Sequence, residues 1–344
     1  MRFPDVYVAG VAASYPKAVQ VDEAVADGRY HAALHRRTRQ QRVAILADGE
    51  SAPELAVAAG RCALRRSGHH ADECSLLLHA VATNNGLEGW NAASYLQHEV
   101  LTGAGVAFEV RQLSNGAVAC IELAVTHLQA TGGVAALITA ADQFDLPTWN
   151  RWTANPGLVF GDGASAIVLS LRSGFARLLS CATVCDAALE GVQRGNRPLR
   201  WEPEKTPVSL FDRTLEFSDQ IPLGEVTERM AAGLRAAGDR VAAEAGVPLA
   251  DFDHYVTPNF GWDLLHQQCL GPLGLDATRT TWAWGSEIGH AGTTDQFGGL
   301  HHLAQSGRLE PGQRVLLISI GGGFNWTCVA LEVVAQPAWD TLPV

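Results

Sequence analysis

Residues 107–124 read AFEVRQLSNGAVACIELA, and the pattern of the chain changes inside them. Phe108 and Val110 alternate as a strand does, whereas residues 117–123 continue as an apolar helical run. Ser114-Asn115-Gly116 makes the turn between the two. The elbow holds a hydroxyl at the head of a helix, where backbone N–H groups point outward and the dipole favours negative charge. Ser114 has two readings there. It is an N-cap, or it is a nucleophile whose attack creates an oxyanion.

The 344 residues exceed one small domain, and 47% hydrophobic with 18% charged residues allow a large core. A formal charge of −11 argues against broad nucleic-acid binding, which leans on basic surface. Cys62, Cys74, Cys120, Cys181, Cys185, Cys269 and Cys328 are odd in number and without CxxC spacing. That fits free thiols in a reducing compartment. Cys181 and Cys185 have no histidine near them in sequence to complete a zinc site. No secretory signal is read at the start, and no stretch reaches the ~18 apolar residues of a membrane span. The expectation is a cytoplasmic protein with no metal, membrane or nucleic-acid partner.

Before the elbow, a strand is expected at 6–13, a helix capped by Ser51 at 51–67, a strand at 76–82 and a short helix at 91–101. His79, inside the second strand, reads as a buried, hydrogen-bonded histidine. Residues 35–43, HRRTRQQRV, are a basic run in an acidic chain, read on pattern alone as a solvated face. After the elbow come a buried strand at 134–140 and a loop at 142–156. FGDGASAIVLSL, within 158–171, is a glycine turn entering a strand. Residues 189–217 lack periodicity and read as a long, substrate-shaping excursion. Helices are expected at 224–246, 261–270 and 299–304, and strands at 254–257, 315–320 and 324–334.

Two portions share a pattern. Strand, elbow, helix, strand and FGDGASAIVLSL are followed later by 282–289, a turn, a helix, 315–320 and GGGFNWTCVALEV. The recurrence predicts an α/β protein of two related halves, 1–172 and 173–344, with sheets between layers of helices.

Three further stretches carry candidate chemistry. His290 and Asp295 lie five residues apart in GHAGTTD. A base needs its tautomer fixed and its cation stabilised, which a nearby carboxylate does. The same pair also reads as a loop histidine and a capping aspartate. Gly321-Gly322-Gly323 lets backbone approach another group closely, as an oxyanion donor or as a tight bend. Asp162, between glycines, reads as a residue that pins a turn. Cys120 reads as a small buried hydrophobe, and His266, His301 and His302 as structural.

Taken together, these stretches resemble β-ketoacyl-ACP synthase III of the thiolase superfamily. EVRQLSNGA is similar to the family's DVRNQCSGF, with Ser114 on the catalytic cysteine. FGDGASAIVL resembles FGDGAGAVVL, and ISIGGGFNWTCVAL resembles GGGFTWGAAL. HRRTRQQRVAI resembles RTGIRERRIA, which places Arg37 on an arginine that holds the nucleotide of the pantetheine carrier. The resemblance spans essentially the whole chain. It implies the five-layered αβαβα thiolase fold, a homodimer and transfer through a covalent acyl-enzyme, with Ser114 and Gly322 as the oxyanion hole.

The departures are informative. The family's VPHQAN histidine falls near Pro258 in VTPNFGW, where Asn259 is the nearest polar residue, and its GNTSAAS asparagine falls on His290. Cys-His-Asn therefore becomes Ser114, His290 and Asp295. A serine hydroxyl needs a base that a thiol of pKa ~8.5 needs less. The set resembles a divergent branch of acyltransferases and starter-unit ketosynthases. The expected activity is acyl transfer from CoA or an acyl carrier protein, through Ser114, to the hydroxyl or amine of a small acceptor in secondary metabolism. The thioester is a substrate, and no permanently bound cofactor is implied. Decarboxylative priming of a polyketide with a short acyl starter is the alternative. A non-catalytic ketosynthase partner is a third reading.

Overall fold

The computed structural model describes residues 5–83, 86–200, 207–337 and 339. Residues 1–4 of the opening stretch and 201–206 of the excursion lie outside them. The apolar runs form strands β1 Tyr7–Ser14, β2 Ala18–Gln20, β3 Arg42–Ala44, β4 Cys74–Ala80, β5 Val106–Val110 and β6 Ala135–Asp142. They continue with β7 Gly163–Ser170, β8 Ala176–Cys185, β9 His254–Val256, β10 Arg314–Gly321 and β11 Asn325–Val333. β2 and β3 pair separately, and the other nine form one mixed sheet in the order β5-β4-β6-β7-β1-β8-β11-β10-β9.

β4 runs parallel to β5 and β6, and β9 parallel to β10, while every other neighbouring pair is antiparallel. Among the described residues, β1 pairs with β8 at the middle seam through Tyr7–Arg177 and Val8–Ala176, and the Leu178 N–H donates to the Val6 carbonyl just beyond. One core cluster crosses the seam. It joins strands of both parts of the sheet to Val118, Ile121 and Leu128 of helix Gly116–Thr131 and to Phe297, Leu300 and Leu303 of helix Asp295–Gln305. These two helices form a middle layer, with apolar residues meeting sheet on both sides. Helices Ala52–Ser67 and Ala92–Leu101 cover the outer face of one part, and Leu223–Ala245 covers the other. The result is the helix–sheet–helix–sheet–helix stack. β6 and β7 are buried along their full length, as strands covered on both faces must be.

Several expected elements are corrected. Ser51 sits at the N-cap, but its hydroxyl donates to Glu54 Oε2 at 2.7 Å and caps no backbone N–H. Ser114 is not the cap of its helix either. Asn115 holds that position, and the serine hydroxyl is engaged elsewhere. The helix expected at 299–304 starts at Asp295. The helix expected at 261–270 is α-helical over Trp262–Leu265, then widens into a π-turn over His266–Leu270, which periodicity does not distinguish. The aperiodic excursion contains a helix, Leu210–Phe217, whose first turn is closed by Ser209 accepting from the Asp212 N–H at 3.2 Å. At 282–289 the second pattern places no strand. The chain bridges Tyr255 only at Thr280, then coils into helix Trp282–Gly285.

Candidate active site

The elbow is strained where it turns. Leu113 has φ 47°, a left-handed value that costs a γ-branched residue energy and persists only where its surroundings enforce it. Ser319 Oγ donates to the Ser114 carbonyl at 3.3 Å, and Asn115 Nδ2 donates to Thr327 Oγ1 at 2.9 Å. The end of β10 comes close behind. A Cβ on Gly321 would lie 2.6 Å from Gln112 O, and one on Gly322 2.9 Å from Leu113 Cδ1. The glycines thus let the strand end approach the elbow, and Gly322 lines the same cavity as Ser114.

Ser114 and His290 are 176 residues apart in sequence, yet Ser114 Oγ lies 2.9 Å from His290 Nε2. His290 Nδ1 lies 2.6 Å from Asp295 Oδ2. The buried Asp295 carboxylate also accepts from Ala291 N–H at 2.9 Å, Asn259 N–H at 2.8 Å and Asn259 Nδ2 at 3.2 Å. A carboxylate only accepts, so Nδ1 donates to it, and in the neutral imidazole Nε2 then accepts from the serine hydroxyl. The backbone of His290 is fixed too. Its N–H donates to Val159 O at 2.9 Å, and its carbonyl accepts from Gly161 N–H at 3.0 Å. Phe160 and Phe260 pack against the imidazole with ring centroids 5.6 and 5.1 Å away.

The serine opens into a cavity of about 220 Å³. Phe144, Trp149, Phe160, Phe260 and Phe324 make much of its wall, and Phe144 stacks on Phe160 at 4.4 Å. Asp162 holds that wall. Its carboxylate takes both terminal nitrogens of Arg151 at 3.0 Å and the Phe144 N–H at 2.8 Å. Asp142 fixes the far side of the histidine loop. It accepts from the N–H and hydroxyl of Thr293 and from Ala82 and Thr83. Burial nevertheless pushes its carboxyl above the ordinary range.

Arg37, at the end of helix Ala32–Thr38, is not at this cavity. It pairs with Asp263 at 3.2 Å beside a second cavity, and Asn155 and Leu264 line both spaces. Cys120 is buried within its helix and His79 bonds Thr139 Oγ1 at 2.9 Å. His301 bonds an Arg66 nitrogen at 3.1 Å, His302 stacks on Trp284, and His266 packs on Trp262. Asn259, Phe260 and Arg151 took no role in the motif reading. The polar Asn259 in the apolar VTPNFGW stretch was the one available signal.

Residues 242–333 match the family model for the C-terminal part of 3-oxoacyl-[acyl-carrier-protein (ACP)] synthase III. The solved structure of ChlB3, described as an acyltransferase, is 32% identical and superposes with a TM-score of 0.90 over 98% of this chain and 100% of that one. The chain belongs to the ketosynthase III-like family of the thiolase superfamily. Its ketosynthase III relatives include β-ketoacyl-[acyl-carrier-protein] synthase III of Rhodospirillum centenum, 27% identical over 82% of this chain and 84% of that protein. The structure of 3-oxoacyl-(acyl carrier protein) synthase III from Pseudomonas aeruginosa PAO1 shares the fold at a TM-score of 0.77, covering 97% of this chain and 99% of that one.

Proposed function

We propose that this ketosynthase III-like protein is an acyltransferase that works through a Ser114 acyl-enzyme. One observation carries the reading: the unbroken series from Ser114 Oγ to His290 Nε2 and from His290 Nδ1 to Asp295, with Ser114 and His290 on the wall of a largely apolar cavity. A CoA or carrier-protein thioester enters past Arg37 and along the wall formed by Asn155 and Leu264. Its phosphates exchange for the exposed Asp263 partner of Arg37, a surface pair worth about 1 kcal/mol or less.

His290 takes the Ser114 proton as Oγ attacks the thioester carbonyl. The N–H groups of Ser114 and Gly322 bind the oxyanion. Collapse breaks the C–S bond, and the leaving thiolate takes the proton from Nε2. An acceptor hydroxyl or amine then loses a proton to Nε2, attacks the serine ester and returns Oγ–H to Ser114. The acceptor is a small molecule of secondary metabolism.

Decarboxylative condensation is less well supported. Phe160 and Phe260 pack against His290, and Asn259, the polar residue nearest the missing family histidine, turns its amide toward Asp295 and does not line the cavity where an enolate would form. Incubation with a panel of acyl-CoAs, followed by intact mass, is expected to show a single acyl adduct that Ser114→Ala abolishes. An adduct that persists in Ser114→Ala, or none with any donor, refutes the covalent route. Carbon dioxide release from malonyl-ACP coupled to a β-ketoacyl product would assign the priming reaction instead.

A homodimer belongs to this proposal. β5 ends the sheet, and Val106 and Phe108 on it are exposed, as is Leu123 on the elbow helix. An unpaired, apolar strand edge is a surface that a second copy covers. Light scattering is expected to give a dimer for the wild type, with self-association weakened about thirtyfold or more in Phe108→Glu. A monomeric wild type contradicts it.

A further inference from the structure

We infer that Asn259 is a positioning residue that aims the Asp295 carboxylate at His290. Asn259 follows β9 by three residues and is buried. It does not line the cavity around Ser114. Its backbone N–H donates to Asp295 Oδ2 at 2.8 Å, and its side-chain Nδ2 donates to Oδ1 at 3.2 Å. The same Nδ2 donates to the Gly289 carbonyl at 3.0 Å, one residue before the histidine. One residue therefore grips both carboxylate oxygens and the backbone that carries the base.

The geometry explains why both grips matter. Oδ2 is shared between the Asn259 N–H and His290 Nδ1, so its direction sets the 2.6 Å bond to the imidazole. Without Nδ2, Oδ1 keeps, among the described residues, the Ala291 N–H alone, and the carboxylate gains freedom to turn about its Cβ–Cγ bond. The main-chain N–H survives any substitution at 259 other than proline, so a variant such as Asn259→Ala isolates the contribution of the amide. Room for the amide is made from outside the site. A Cβ on Gly285 would lie 2.3 Å from Asn259 Oδ1. Gly285→Ala thus displaces Asn259 without touching Ser114, His290 or Asp295.

Two readouts on the full-length protein test this. The first is the downfield proton resonance of His290 Nδ1–H bound to Asp295, identified by its loss in Asp295→Asn. The second is the rate of acyl-adduct formation with the best acyl-CoA from the panel, resolved into a maximal rate and a donor KM. The kinetic readout rests on the Ser114 reading, and the spectroscopic one does not.

In Asn259→Ala the resonance is expected to broaden away and the maximal rate to fall about tenfold to a hundredfold, with KM within about twofold. Asn259→Asp keeps the shape but sets a second carboxylate against Asp295, and is expected to lose at least as much. Gly285→Ala is expected to move both readouts in the same direction. Retained resonance and wild-type rate in Asn259→Ala and Asn259→Asp would overturn the inference. So would a loss confined to KM with the resonance intact, or a wild type without the resonance. A wild type that forms no adduct, yet whose resonance responds as expected, would refute the Ser114 reading and leave the positioning role standing.

Discussion

His290→Ala is expected to slow acylation of Ser114 by about a millionfold, close to what removing the serine itself costs. The reason is the nucleophile. A serine hydroxyl gives almost no alkoxide near neutrality, and Nε2, 2.9 Å from Oγ, is the only imidazole nitrogen hydrogen-bonded to it among the described residues. A thiol at the same place changes the arithmetic, because a few per cent of it is already thiolate. In a Ser114→Cys background, removing His290 is therefore expected to cost no more than about a hundredfold. Single-turnover acylation by acyl-CoA, followed by mass, measures both. Equal losses in the two backgrounds would mean that His290 does not act as the base.

Asp295→Asn is the second large effect, about ten-thousandfold on the same rate. The amide keeps the shape of the side chain and can still accept through its oxygen. Yet three N–H groups besides His290 already point at the two oxygens, from Asn259 N, Asn259 Nδ2 and Ala291 N. The new NH2 group must therefore face a donor or turn toward Nδ1. If it turns, the imidazole proton moves to Nε2, the wrong side for taking a proton from Ser114. The variant is expected to fold and to bind donor with an unchanged KM. A loss below about tenfold would show that the carboxylate does not set the tautomer.

Much of this was legible in one dimension, for physical reasons that differ by element. The elbow announced itself because the period of apolar residues changes between Val110 and Ala117, and that change survives folding as β5 and helix Gly116–Thr131. The glycine-rich stretches were visible because close backbone approach leaves a compositional mark. That Ser114 and His290 would meet came from the family pattern, since no local signal links residues 176 apart. Orientation was not legible. Nothing in VTPNFGW tells that Asn259 turns to Asp295 while Phe260 packs against the imidazole. The helix Leu210–Phe217 was hidden by its length: two turns are too few for periodicity to stand out. Arg151 was hidden for the opposite reason, because an arginine in a loop reads as surface until its bidentate partner Asp162 is seen.

Ser114 stands just before one middle-layer helix, and Asp295 opens the other. Each helix leans on both parts of the sheet. The hydrogen bond between nucleophile and base is therefore a gauge of how the elbow and the histidine loop are docked against one another. A shift of one ångström that freed the histidine loop from Val159, Gly161 and Asp142 would leave the sheet's own hydrogen bonding whole and still separate Oγ from Nε2. Heating or denaturant should thus extinguish adduct formation no later than it melts the sheet. Variants that tighten the packing of Phe297 or Ile121 should extend the working range of the chemistry as well as the lifetime of the fold.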